Sequence, residues 1–186
     1  MADRSDTIAS ALQNTLRPAA FLDRDGVLNV DHGYTYRPED LKLMPTTAAA
    51  VRLLNEAGHL VIVVSNQSGL ARGYFDEASV RQFNAQLKEA LRTLGARIDA
   101  FYYCPHHPDG KVSAFAISCQ CRKPQPGLLE QAARDWPIDR VRSFLIGDKD
   151  DDIAAARAFG IRGAKFNATE GTLEALVRRE LARGAR

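Results

Sequence analysis

The stretch Ala19-Ala20-Phe21-Leu22-Asp23-Arg24-Asp25-Gly26-Val27-Leu28-Asn29 constrains the fold more than any other part of the chain. Four apolar residues follow Pro18 and run straight into two carboxylates spaced i, i+2 and then a glycine. The pattern predicts a short buried strand, Ala19–Leu22, that ends in a turn. In an open parallel sheet ligands bind beyond the carboxyl ends of the strands, so Asp23 and Asp25 stand where chemistry is done. Two like charges this close repel unless a cation neutralises them or one takes a proton. A hard divalent ion does this, and Mg²⁺ favours one or two carboxylates together with phosphate oxygens of a substrate. A bare Asp-x-Asp-Gly is equally an ordinary acidic turn, and the remaining strand ends have to decide between the two.

Downstream the chain alternates between two periodicities. The loop Asn29–Leu43 leads to a helix over Thr46–Glu56, stopped at Gly58. His59–Ser65 is a β-branched run typical of a strand buried on both faces. A turn follows at Ser65–Gly69, with a loop expected over Gly69–Phe75. Val80, Phe83, Leu87, Leu91 and Leu94 then repeat at helical spacing over Asp76–Leu94. Further strands are expected at Ala100–Tyr103, Ser143–Ile146 and Gly163–Phe166. Further helices are expected at Leu128–Trp136, Asp152–Phe159 and Thr172–Leu181. Strands that alternate with helices in this way predict an α/β fold, a doubly wound and mostly parallel sheet. Residues 1–17 read as a polar leader and 18–186 as one domain. The gap from Asp25 to Ser65 holds only a loop, a helix and a strand, and the excess between Ser65 and Lys123 is one irregular loop. No cap domain fits, so an open site is expected.

Length and charge exclude several classes. The chain has 186 residues, enough for a substantial core. A net charge of +2 gives no argument for nucleic acid or for a membrane surface. No run is long enough to span a bilayer, and no basic-then-apolar leader marks secretion. A cytoplasmic monomer acting on a small molecule is expected.

Four strand ends carry groups suited to phosphate. Asp23 and Asp25 are the first. Ser65 and Asn66 are the second, a hydroxyl followed by turn amides that can form an anion-binding concavity. Arg122-Lys123-Pro124 is the third, a cationic pair before a helix N-terminus. Gly147-Asp148-Lys149-Asp150-Asp151-Asp152 is the fourth. Each has a bland reading as a cap or a solvated charge, but the four together do not. A second constellation lies in the irregular loop 104–121: Cys104-Pro105-His106-His107, then Cys119-Gln120-Cys121. An odd cysteine count argues against disulfides. Three thiolates and one imidazole match a closed, structural Cys₃His zinc site, with either His106 or His107 as the nitrogen ligand.

As a set, Asp23 and Asp25 in Asp-x-Asp-Gly, Ser65, Lys123, and Asp148 with Asp152 in Gly-Asp-x-x-x-Asp resemble the haloacid dehalogenase superfamily of phosphohydrolases. Phe-Leu-Asp-Arg-Asp-Gly-Val-Leu-Asn, Ser-Asn-Gln-Ser-Gly-Leu-Ala-Arg-Gly-Tyr-Phe, Cys-Pro-His-His-Pro-Asp-Gly and Cys-Gln-Cys-Arg-Lys-Pro narrow the resemblance. They point to the small histidinol-phosphatase-like branch, and within it to the heptose bisphosphate phosphatases. The resemblance implies a phosphomonoesterase in heptose precursor synthesis that works through an aspartyl-phosphate. Asp23 is then the nucleophile and Asp25 the general acid and base, while Ser65 and Lys123 hold the phosphoryl group. Mg²⁺ is held by Asp23, the backbone of Asp25 and Asp148, with Asp152 behind them. Zinc falls to Cys104, His106, Cys119 and Cys121. Substrate contacts fall to Asp31, His32, Gly33, Tyr34, Ser65, Asn66, Gln67, Ser68, Arg122 and Lys149. Histidinol-phosphate phosphatase is the alternative within the branch, and a catalytically silent zinc-bearing interaction module the alternative outside it.

Overall fold

The computed structural model describes residues 16–184. Five strands form one sheet: β1 (Arg17–Leu22), β2 (Leu60–Asn66), β3 (Ala100–Cys104), β4 (Ile138–Gly147) and β5 (Arg162–Lys165). Their spatial order is β3-β2-β1-β4-β5, and every neighbouring pair is parallel. The helices α1 (Thr47–Glu56), α2 (Glu77–Thr93), α3 (Gly127–Asp135), α4 (Asp150–Phe159) and α5 (Leu173–Gly184) connect or flank them. This is the doubly wound sheet expected, and no cap is inserted between β1 and β2 or between β2 and β3.

Both faces of the sheet are covered, which is why its strands read as unbroken apolar runs. Ala20, Leu22, Val61, Val63, Phe144 and Ile146 point to one face and pack with α1, α2 and α5. Ala19, Phe21, Leu60, Ile62, Val64 and Leu145 point to the other and pack with α3 and α4. Alternate residues of a strand face opposite ways, so the two clusters divide each strand between them. The central position of β1 puts Asp23 at the middle of the sheet's carboxyl edge. Asn66, Cys104 and Gly147 end their strands at the same edge.

The structure corrects several expected boundaries. β1 starts at Arg17 and includes Pro18; residues 1–15 of the expected leader lie outside the described residues. β4 is far longer than Ser143–Ile146. Its first half is polar and pairs only with Arg17 and Pro18, after which the register jumps from Asp139 to Phe144. Val141 stands out in solvent at this bulge. The bulge removes a ladder carbonyl from Ala19, and Ser143 replaces it. The Ser143 hydroxyl accepts from the Ala19 amide at 2.8 Å and donates to the Asp139 carbonyl. The expected loop after Gly69 begins with a helical turn, Gly69–Arg72.

Ser143→Ala leaves the buried Ala19 amide without an acceptor. A loss of about 1–3 kcal/mol is expected, read as a lower urea midpoint with an unchanged slope.

Candidate active site

Asp23 follows β1 directly and is almost fully buried. Its Oδ1 accepts a hydrogen bond from Lys123 Nζ at 2.7 Å. The same ammonium donates to the Val64 carbonyl at 2.8 Å and pairs with Asp152 at 2.5 Å. An ammonium has three protons, and all three are committed. Lys123 therefore orients Asp23 before it does anything else, and contact with a phosphoryl oxygen requires exchanging one of these partners. Burial alone pulls the Lys123 ammonium down, but Asp23 and Asp152 outweigh it and hold the group above its usual range. Burial pushes Asp23 up to about 6, against the lowering effect of Lys123, with Asp152 and Asp25 adding to the rise.

The backbone of Lys123 is fixed as well. Its amide donates to Asn66 Oδ1 at 3.0 Å, and Asn66 Nδ2 donates to its carbonyl at 2.9 Å. Asn66 was expected as a substrate contact. Its amide is occupied in clamping the third strand-end group to the second.

Asp25 is held by three side chains. Arg24 reaches it with Nη2 at 2.9 Å and Nε at 3.2 Å, Asn29 Nδ2 donates to Oδ1 at 2.9 Å, and Gln67 Nε2 donates to Oδ2 at 2.9 Å. Gln67 also donates to Ser65 Oγ at 2.7 Å, which leaves the Ser65 proton for an anion. Arg24 and Asn29 carry none of the sequence expectations, and Gln67 was expected only at the substrate. No pattern in the sequence marks Arg24, whose burial rests on the distant Phe83, Asn84 and Thr35.

Asp148 follows β4 directly and is half-buried, and its Oδ1 is buried with no hydrogen-bond partner among the described residues. Gly26 makes room for it: with φ +85°, a Cβ there would lie 2.6 Å from Asp148 Oδ2. Gly147 likewise gives way to the Asp152 carboxylate. Asp23, Asp148 and Asp152 each offer an oxygen within 4.8 Å of the others. Asp152 accepts from Lys123 through Oδ1 and from the Lys149 amide through Oδ2, so both of its oxygens are in use. An oxygen-only donor set, an orphaned buried carboxylate oxygen and excess negative charge fit a hard cation such as Mg²⁺.

One cleft of about 270 Å³ gathers Asp23, Asp25, Ser65, Gln67, Lys123 and Asp152 with the expected substrate contacts Asp31, Gly33, Tyr34, Asn66, Ser68, Arg122 and Lys149. His32 is not among its walls; it lines an adjoining hollow with Tyr34, Tyr36 and Tyr74. Tyr34 has φ +57°, uncommon for a bulky residue, and its ring meets Tyr74 edge-on at 4.8 Å. Lys149 and Asp31 face each other at 3.8 Å across the mouth.

Cys104 ends β3, and the loop after it brings back Cys119 and Cys121. Their sulfurs lie 3.2–3.5 Å apart, and His106 Nδ1 is 3.3 Å from Cys121 and 3.7 Å from Cys104. A tetrahedron with Zn–S arms of 2.3 Å has edges of about 3.8 Å, so this soft donor set fits zinc. His107 faces Arg72 and accepts from the Asp109 amide, whereas His106 stands with the three sulfurs. The loop also leans on the helical turn after β2, through Lys111 and Val112 amides donating to the Ala71 carbonyl.

A family model described as HAD-hydrolase-like matches residues 120–172. The D-glycero-beta-D-manno-heptose-1,7-bisphosphate 7-phosphatase of Rhodopseudomonas palustris is 49% identical over 150 residues, which cover 81% of this chain and 83% of that protein. The enzyme of the same name from Escherichia coli K12 is 42% identical over 144 residues, 77% of this chain and 75% of its own. The D,D-heptose 1,7-bisphosphate phosphatase of B. bronchiseptica, solved with magnesium and phosphate, superposes with a TM-score of 0.77 at 31% identity. That match covers 89% of this chain and 99% of the other. With a parallel sheet, carboxylates at its central strand ends and relatives alike over four-fifths of its length, the chain belongs to the haloacid-dehalogenase-like family of D-glycero-D-manno-heptose-1,7-bisphosphate 7-phosphatases.

Proposed function

We propose that this protein hydrolyses the 7-phosphate of a D-glycero-β-D-manno-heptose 1,7-bisphosphate, releasing inorganic phosphate and the heptose 1-phosphate. The observation that carries the reading is the pairing, in one cleft, of a buried, lysine-oriented Asp23 with an Asp25 held by three donors. The anomer follows the names of the relatives.

A carboxylate is a competent nucleophile toward phosphorus. An Asp23 oxygen attacks, the bond from phosphorus to the sugar oxygen breaks, and that oxygen leaves with the electron pair. Asp25 gives it a proton. Asp25 then takes a proton from a water that attacks the aspartyl-phosphate, and the bond to Asp23 breaks with its electrons returning to the carboxylate. Ser65 donates to the phosphoryl oxygens, and Lys123 joins it by trading a partner. Asp23, Asp148 and the Asp25 backbone would hold Mg²⁺, with Asp152 supporting them; when bound, the ion neutralises charge that develops on the phosphoryl group. Arg122 and Lys149 are the cations left at the open mouth. A guanidinium is a planar fork suited to a second phosphate. The amine of histidinol phosphate would meet repulsion there.

Asp23→Asn keeps the shape of the side chain and removes its charge; turnover falls by several orders of magnitude while the protein stays folded. Asp25→Asn lowers kcat roughly 10²–10⁴-fold. Phosphate release by the Asp23 variant near the wild-type rate would overturn the mechanism.

Arg122→Ala lowers kcat/KM on the heptose bisphosphate by roughly tenfold or more and leaves a generic monoester nearly unaffected. An equal loss on both esters, or a wild-type preference for histidinol phosphate, would move the reading to that substrate.

Metal analysis should find about one zinc per chain, matching a single four-ligand site. Lys123 is clamped by Asn66 independently of the zinc loop, whereas Arg122 touches the loop itself, at the His106 carbonyl. Stripping zinc therefore raises KM for the bisphosphate before it lowers kcat on a simple ester. Zinc-free protein with wild-type KM would show that the loop positions nothing.

A further inference from the structure

We infer that Arg24 is a positioning residue that fixes the carboxylate of Asp25 for proton transfer, and that ties this carboxylate to the loop over the substrate. The inference rests on the aspartyl-phosphate reading above. Arg24 has a side-chain exposure of 1%, and Asp25 has 14%. The cation is thus sealed behind the carboxylate, which itself stays open to the cleft. Among the described residues Asp25 is the one carboxylate that Arg24 pairs with. The back of the guanidinium is held on three sides. Nη1 donates to Asn84 Oδ1 at 3.1 Å, Nη2 donates to the Thr35 carbonyl at 2.6 Å, and the Phe83 ring lies 4.5 Å from its centre.

Burying an arginine is costly, and a packed apolar residue serves stability as well or better in many interiors. Two features favour a positioning role over mere filling. The fork reaches both oxygens of Asp25, which removes the rotation about its last bond that a single donor would allow. Thr35 lies in the loop whose Asp31, Gly33 and Tyr34 wall the cleft, so one planar group sets the proton donor and the substrate loop together. A lysine at this position keeps the charge but can present only one point of contact.

The test exploits leaving-group chemistry. A sugar alkoxide needs a proton as its bond to phosphorus breaks; a 4-nitrophenolate leaves without one. Hydrolysis of the aspartyl-phosphate needs Asp25 as base in either case. Wild type and Arg24→Lys are compared on the heptose bisphosphate in steady state, and on 4-nitrophenyl phosphate by stopped flow. The variant is expected to lose about tenfold or more in kcat on the sugar ester, a fraction of the full value of acid–base catalysis. On the aryl ester its first turnover is expected near the wild-type rate, followed by a slowed steady state, so that a burst of nitrophenolate appears. Asn84→Leu, which frees Nη1 without touching Asp25, covers the case in which Arg24→Lys fails to fold. It is expected to give the same pattern at smaller amplitude. Equal losses on both esters without a burst, or full activity of Arg24→Lys on the sugar ester, would overturn the positioning role while leaving the phosphatase reading intact. A wild type inactive on both esters would overturn both.

Discussion

The structure depends on one buried ammonium. Lys123 sits between Asp23 and Asp152, all three nearly sealed from solvent, and its third proton goes to the Val64 carbonyl. Buried ion pairs contribute little to stability, because desolvation offsets most of the attraction. A hydrophobic core of this size does not need such a triad. Its effect is geometric: one group on the chain after the zinc loop fixes the end of β1 against the first turn of α4, with β2 supplying the backbone acceptor. The charge left over is informative as well. Four carboxylates, Asp23, Asp25, Asp148 and Asp152, meet two buried cations, Lys123 and Arg24. The excess is negative and gathered around Asp148, whose buried oxygen has no partner. A dication would answer both the charge and the orphaned oxygen.

Much of this was legible in the sequence, for a physical reason. A strand buried on both faces must be apolar throughout, so polar residues at its carboxyl end stand out sharply. Asp23, Ser65 and Asp148 were found that way. What the sequence hid were side chains that act on other side chains. Arg24 reads as a charged turn residue until its environment of Phe83, Asn84 and Thr35 is seen, because those contacts span up to sixty positions of chain. Gln67 sits in a phosphate-binding turn by pattern, yet its amide is spent on Asp25 and Ser65. The first half of β4 escaped because Asp139, Arg140 and Arg142 break the apolar run that marks a strand, and the strand is held there by a serine standing in for a carbonyl. His106 and His107 are neighbours with one composition, and only the return of Cys119 and Cys121 tells them apart.

The loop 104–121 gathers Cys104, His106, Cys119 and Cys121 at one point. It leaves from the end of β3 and returns to Cys121, and the next two residues face opposite demands. Lys123 must be immobile, since the orientation of Asp23 follows from its own; it is held by its backbone at Asn66 and by all three ammonium protons. The Arg122 side chain is tied only loosely, through one 3.4 Å hydrogen bond among the described residues, to the His106 carbonyl. If Arg122 recognises the second phosphate, as proposed, that freedom lets it follow a group whose position depends on the sugar between the two ends. A group that aims the nucleophile cannot tolerate it. The step from Arg122 to Lys123 is therefore the boundary between an adaptable wall of the cleft and its rigid floor, and the Asn66 clamp keeps the first from loosening the second.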